Sequence, residues 1–143
     1  MNSIDRSRRR LAIAAAGLAG FVDAAGFLLA QGYFVSFMSG NTTRLGVDLV
    51  VEPARAVIPA LLISGFVLGV FLTALLAARA EARRKVIVLA LVTLLLAGAA
   101  LARLLGATAA MLAFLVLAMG ALNNTFQRDG AVSVGLTYMT GAL

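Results

Sequence analysis

A single carboxylate, Asp23, interrupts the apolar stretch Leu11–Ala30. A charged carboxylate at the centre of a bilayer costs about 2.5–3.5 kcal/mol on insertion scales, so it is kept facing the interior of a bundle and marks proton, cation or substrate sites. The structural alternative is an Asp that only pins helices together through Asn123 and hydroxyl groups, each such bond worth under about 1 kcal/mol. A second group of polar residues follows a further apolar run: Ser39, Gly40, Asn41, Thr42, Thr43 and Arg44. These are helix-breaking and N-capping types. A helix starting near Thr42 would aim unpaired N–H groups and its positive dipole end into the protein, where they attract anions, and Arg44 would add to that field. The bland reading is an outer loop that caps a short helix. Arg44 and Asp48 stand at i and i+4, the spacing of a weak surface ion pair. Asn123, Thr140 and Gly141 are the corresponding polar residues near the other end.

Other chemistries lack their residues. There is no cysteine and no histidine, which removes thiolate metal sites, the commonest metal ligand and the usual general base. The hydroxyls of Ser36, Ser39 and Thr42 have no histidine to activate them. There is no phosphate loop and no metal-ligand spacing. The expectation is a protein that is not an enzyme and has no metal or cofactor.

These residues sit in a chain that is 62% hydrophobic and 13% charged, against about a quarter charged in soluble domains. The lipid bilayer is the expected partner. A spanning helix needs about 20 mostly apolar residues. Leu11–Ala30, Ala56–Ala78, Val86–Ala102 and Leu104–Leu122 meet or approach this, so the predicted fold is an all-α integral membrane bundle of about four full spans. The last two are joined by a tight turn around Arg103–Thr108 and form an antiparallel hairpin. Residues 32–53, between the first two spans, read as a broken or re-entrant element, because irregular backbone survives at membrane depth only when protein or a watery cavity covers it.

The net charge of +6 belongs to membrane topology and does not indicate nucleic acid. With the N-terminus in the cytoplasm, Arg6, Arg8, Arg9, Arg10, Arg79, Arg83, Arg84, Lys85 and Arg128 lie inside. Only Arg44, Arg55 and Arg103 lie outside, as the positive-inside rule requires. The Arg cluster before the first span resembles a secretory or twin-arginine signal, but it precedes a multi-spanning chain and reads as a topology anchor. Gly65 and Gly69 form a Gly-x-x-x-Gly pair in the second of these spans, suited to packing within the bundle, with homo-oligomerisation as the alternative.

The two ends of the chain repeat. Gly20 and Asp23 match Gly120 and Asn123, and Ser36–Gly40 (SFMSG) matches Thr137–Gly141 (TYMTG). The pattern is hydroxyl, aromatic, Met, hydroxyl, Gly in both. Within a single membrane domain, 1–143, unit one covers 11–102 and unit two 104–143. Three spans in unit one invert unit two in the membrane, an arrangement common in secondary transporters. Unit two lacks counterparts of Ala56–Ala78 and Val86–Ala102, so the chain is expected to be a partial product or to be completed by a partner.

The stretch Gly20–Leu49 (GFVDAAGFLLAQGYFVSFMSGNTTRLGVDL) resembles the first signature of the YoaK-like bacterial membrane proteins, and Met119–Asn124 with Thr137–Leu143 resembles the second. The resemblance covers nearly the whole chain. It implies a bacterial inner-membrane protein of a domain-of-unknown-function family with about six spans. This chain departs from it at Leu122, where members often carry Gln. The combined expectation is a secondary-transporter-like protein binding a small, anionic solute or an ion through Asp23, Ser39, Gly40, Asn41, Thr42, Arg44, Asn123, Thr140 and Gly141. The alternative is a membrane scaffold or assembly protein that transports nothing.

Overall fold

The computed structural model describes residues 6–78, 83–128 and 131–132. They form α1 (Arg6–Leu29), α2 (Met38–Val51), α3 (Val57–Ala78), α4 (Arg84–Leu104) and α5 (Thr108–Asn123), then a 3₁₀ turn at Asn124–Phe126. A two-residue antiparallel ladder pairs Gln127 with Val132 and Arg128 with Ala131. The protein is an all-helical bundle. Among the described residues, three helices are long and apolar enough to cross a membrane: Arg10–Leu29 within α1, α3 and α4.

The expected fourth span is shorter than Leu104–Leu122. Leu104 ends α4, the chain turns through Gly106, and α5 begins only at Thr108. At 1.5 Å per residue its 16 residues rise about 24 Å, short of the ~30 Å hydrocarbon core. The Arg103–Thr108 turn does fold α4 and α5 into the expected hairpin.

Despite its length, α5 is central. Met111, Val116, Ala118, Met119, Gly120, Ala121 and Leu122 are all buried. The helix packs most extensively on α4 and α3, and less on α1. The main core gathers Ala15, Ala19 and Val22 of α1, Ala77 of α3, Val88 and Val92 of α4, and Ala118, Met119, Ala121 and Leu122 of α5. Two glycines set the α3–α5 crossing. A Cβ on Gly69 would lie 2.5 Å from the Leu117 carbonyl oxygen, and one on Gly120 would collide with the Phe66 carbonyl. The backbones therefore touch. Gly65 faces Val116 on the same side, so the Gly-x-x-x-Gly pair is used inside the chain.

Large apolar side chains also point outward. Phe21, Leu28, Leu61, Val67, Phe71, Leu75, Val86, Leu94 and Leu101 are all exposed. Spread over α1, α3 and α4 with so little charge between them, they suit hydrocarbon as solvent and not water.

Candidate functional site

The site begins with a stripe on α1. Ala15, Ala19, Val22 and Gly26 are buried, at intervals of four, three and four, so they line one helix face. Asp23 lies one turn beyond Ala19 on that face. Gly26, three residues further, presents bare backbone: a Cβ there would be 2.8 Å from Cγ1 of Val35. The missing side chain lets the segment after α1 lie directly against the helix.

That segment reverses at Gln31 and Gly32, whose φ angles of 55° and 90° are left-handed. Gly32 accepts this freely, and Gln31 is carried with it. The chain then runs back along α1 through residues 33–37. Asp23 grips it there. Its Oδ1 accepts the Val35 N–H at 2.7 Å and the Ser36 N–H at 2.9 Å, and its Oδ2 accepts the Ser36 hydroxyl at 2.8 Å. Asp23 is six residues before the end of α1, so the segment returns about 9 Å along the helix. Asn41 holds the next residue from the other side. Its Oδ1 accepts the Phe34 N–H at 2.9 Å and its Nδ2 donates to the Phe34 carbonyl at 2.7 Å. Asn41 is fully buried and acts as a one-residue strand partner, satisfying backbone that no ladder pairs. From Met38, α2 climbs back toward the end of α1, where the Tyr33 hydroxyl donates to Asp48 Oδ2 at 2.6 Å. The element at 32–53 is thus an irregular return segment, residues 33–37, followed by α2, which starts two residues past the Asp23-bound Ser36.

Several expectations are corrected by this geometry. The helix does not start near Thr42, and Ser39–Thr43 are not its cap. It starts at Met38 after Phe37, with no side-chain cap. The break is made upstream by the Gln31–Gly32 turn and the Asp23 grip, and the Thr42 and Thr43 hydroxyls bond back to the carbonyls of Met38 and Ser39. Gly40 is in the helix because a Cβ there would meet the Phe37 and Phe34 rings at 2.5 and 2.9 Å. Arg44 does not pair with Asp48, whose carboxylate is turned to Tyr33. Among the described residues an ion pair instead joins Arg55 and Glu52 at 3.3 Å. Asp23 is satisfied by Val35 and Ser36, not by Asn123.

Ser39, Gly40, Asn41, Thr42 and Arg44 therefore all stand on α2, and Asp23 on α1 bonds to the segment that leads into it. Asn123 is at the end of α5, with its Oδ1 buried and, among the described residues, without a hydrogen-bond partner, as is Oγ1 of Thr125. Its neighbour Asn124 is fully buried and donates to the Val70 carbonyl of α3 at 2.6 Å. Thr140 and Gly141, like the whole second SFMSG-type motif, lie outside the described residues.

Sequence reading missed Gly26, Tyr33, Ser36 and Asn124. The spacing Asp23-x-x-Gly26 was a usable signal, since it places bare backbone one turn from the carboxylate. Tyr33 is 1% exposed, and the guanidinium carbons of Arg44 and Arg55 each lie 5.9 Å from its ring centroid, within cation–π range. Burial first, and then the hydrogen bond to Asp48, push its phenol above the ordinary range.

Comparison with known proteins agrees with this architecture. Residues 11–143 match the family model described as "Protein of unknown function (DUF1275)". The chain is 44% identical over 145 residues to a UPF0700 transmembrane protein of Rhizobium meliloti (strain 1021), an alignment covering 96% of this chain and 60% of that relative's length. The chain thus spans about three-fifths of the relative it matches. No solved structure matches. A membrane-spanning helical bundle whose sequence fits the family model over all but its first ten residues belongs to the DUF1275 family of transmembrane proteins.

Proposed function

We propose that this protein is a secondary-transporter-like carrier of a small solute or ion, with its site where α1 meets the re-entrant element. One observation carries the reading: an intramembrane carboxylate, Asp23, holds unwound backbone at the foot of a half-helix. Carriers build their midplane sites from discontinuous helices of this kind, because the half-helix end and the unwound backbone supply partial charges without a lipid-exposed edge. Asp23 supplies the charge, Ser39, Gly40, Asn41 and Thr42 form the first turn and its support, and Arg44 favours an anionic solute. By the repeat, an inverted second unit brings Asn123, Thr140 and Gly141 to the same region. The orphaned Asn123 oxygen supports that part of the reading, since a buried acceptor without a partner costs about 1–3 kcal/mol. The N-terminus lies in the cytoplasm of a bacterial inner membrane on the strength of the Lys and Arg distribution.

The test is proton flux into proteoliposomes loaded with a pH-sensitive dye, on addition of a panel of small carboxylates and inorganic phosphate. Wild-type protein gives solute-dependent flux and Asp23→Asn gives none. If flux and its pH dependence are the same in both, the carboxylate has no carrier role. A scaffold is the second reading, favoured by the fact that Asp23 and Asn41 bond to Phe34, Val35 and Ser36 and so already have a structural task. It predicts no flux with any solute, and effects of both residues on stability alone.

A further inference from the structure

Two arginines from different elements converge on one buried ring. Arg44 projects from α2 and Arg55 from the α2–α3 connection, and each guanidinium carbon is 5.9 Å from the Tyr33 centroid. Gly32 makes room for one of them: a Cβ there would be 3.4 Å from Nη2 of Arg44. The charges around them are unevenly engaged. The Asp48 carboxylate accepts the Tyr33 hydroxyl, and Glu52 meets Nη1 of Arg55 at 3.3 Å in an exposed pair, a kind worth little. Arg44 is exposed and, among the described residues, has no carboxylate partner. Two guanidinium groups with donors to offer thus stand against one ring.

We propose that Arg44 and Arg55, gathered on the Tyr33 ring, form a phosphate-binding site at the mouth of the re-entrant element. Guanidinium forks match the oxygens of phosphate. One fork is enough for a planar carboxylate, whereas two forks from separate elements suit a tetrahedral oxyanion whose oxygens point in several directions. The location agrees. Tyr33 lies four residues past the end of α1 and Arg55 two residues before α3, at the ends of two spans, where hydrocarbon gives way to headgroups. The phosphate belongs either to a lipid headgroup or to a free solute. The site shares Arg44 with the proposed carrier region, but it is an equilibrium binding site and holds whether or not anything is transported.

The chain contains two tyrosines and no tryptophan, so Tyr138→Phe leaves Tyr33 as the only strong near-ultraviolet reporter. This variant is placed in phosphatidylcholine nanodiscs and titrated with inorganic phosphate, with chloride at matched ionic strength as the control. A parallel sample replaces part of the lipid with phosphatidylglycerol. A saturable change in the Tyr33 circular dichroism with phosphate identifies a free-phosphate site, and a change only with phosphatidylglycerol identifies a headgroup site. Arg44→Gln and Arg55→Gln each raise the half-saturation point at least about tenfold, as loss of a charged hydrogen-bond donor requires. Arg44→Lys and Arg55→Lys, which keep the charge and lose the fork, give smaller shifts and serve if a Gln variant does not fold. Silence toward both phosphate sources, an equal response to chloride, or a response unchanged in the Arg variants overturns the proposal.

Discussion

Asp23 and Ser36 are joined twice: one carboxylate oxygen accepts the Ser36 N–H at 2.9 Å and the other accepts its hydroxyl at 2.8 Å. The same Oδ1 also takes the N–H of Val35. Thus the one carboxylate of the first span fixes the backbone of the element beside it, and charge and fold are coupled in a single side chain. Asp23→Asn separates the two roles. The amide oxygen still accepts both backbone N–H groups, and the amide nitrogen donates to the Ser36 hydroxyl, which rotates to receive it. Thermal unfolding in detergent is expected to change little for Asp23→Asn. For Asp23→Ala it falls by the equivalent of about 2–4 kcal/mol, because two backbone donors lose their acceptor.

Asn41 allows no such exchange. Phe34 offers it a donor and an acceptor, and only an amide answers both. Asn41→Asp loses the donor and sets an acceptor against a carbonyl. Asn41→Ala leaves both backbone groups unpaired, at a cost of about 2–5 kcal/mol. Hydrogen exchange at Phe34, Val35 and Ser36 is expected to accelerate in both variants, while amides in α4 and α5 keep their protection.

Glycine substitutions should follow the contact map and not glycine content. At Gly120 and Gly69 an added Cβ meets backbone, which cannot step aside, so Ala at either position forces α3 and α5 apart. At Gly65 it meets only Cγ1 of Val116, and the loss is smaller. At Gly17 and Gly20 nothing lies within 4 Å, and Ala there is neutral or stabilising by about 0.5–1 kcal/mol through helix propensity. Melting temperatures of the five variants in one detergent test the order.

Tyr33 gives a pH signature. Its phenol is raised above the ordinary value of 10.0, so the folded state holds this proton more tightly than the unfolded chain does. The associated stability is fully present below about pH 10 and is lost as pH rises through the folded value. In Tyr138→Phe protein, phenolate absorbance is expected to appear later on the pH axis in the folded state than in denaturant. Tyr33→Phe removes this alkaline loss of stability.

The absence of cysteine makes topology directly measurable. Single cysteines at Ala107 and Arg83 are expected to react with a membrane-impermeant maleimide from outside and inside the cell respectively. Labelling in the opposite sense would reverse the orientation inferred from the Lys and Arg distribution.

Much of this was legible in the sequence for simple reasons. Long, almost wholly apolar runs have few alternatives in a bilayer, so α1, α3 and α4 lie within a few residues of Leu11–Ala30, Ala56–Ala78 and Val86–Ala102. A carboxylate in the first of them had to face inward, and Asp23 does. Of the polar stretch between spans, Ser36 and Asn41 are buried while Thr42, Thr43 and Arg44 are exposed. What one-dimensional pattern could not carry was the partner of each polar group. Ser, Asn and Thr are good caps and equally good clamps, and which role they take depends on where a separate segment lies. Gly26 admits the returning segment, so the carboxylate meets Val35 and Ser36 before any cap is needed, and the half-helix starts at Met38. The same holds for Arg44: sequence offered Asp48 at i+4, but Tyr33, fifteen residues upstream of Asp48, reached that carboxylate first. Composition and periodicity fix what must be hidden from lipid; only the tertiary approach of distant backbone decides which atoms hide it.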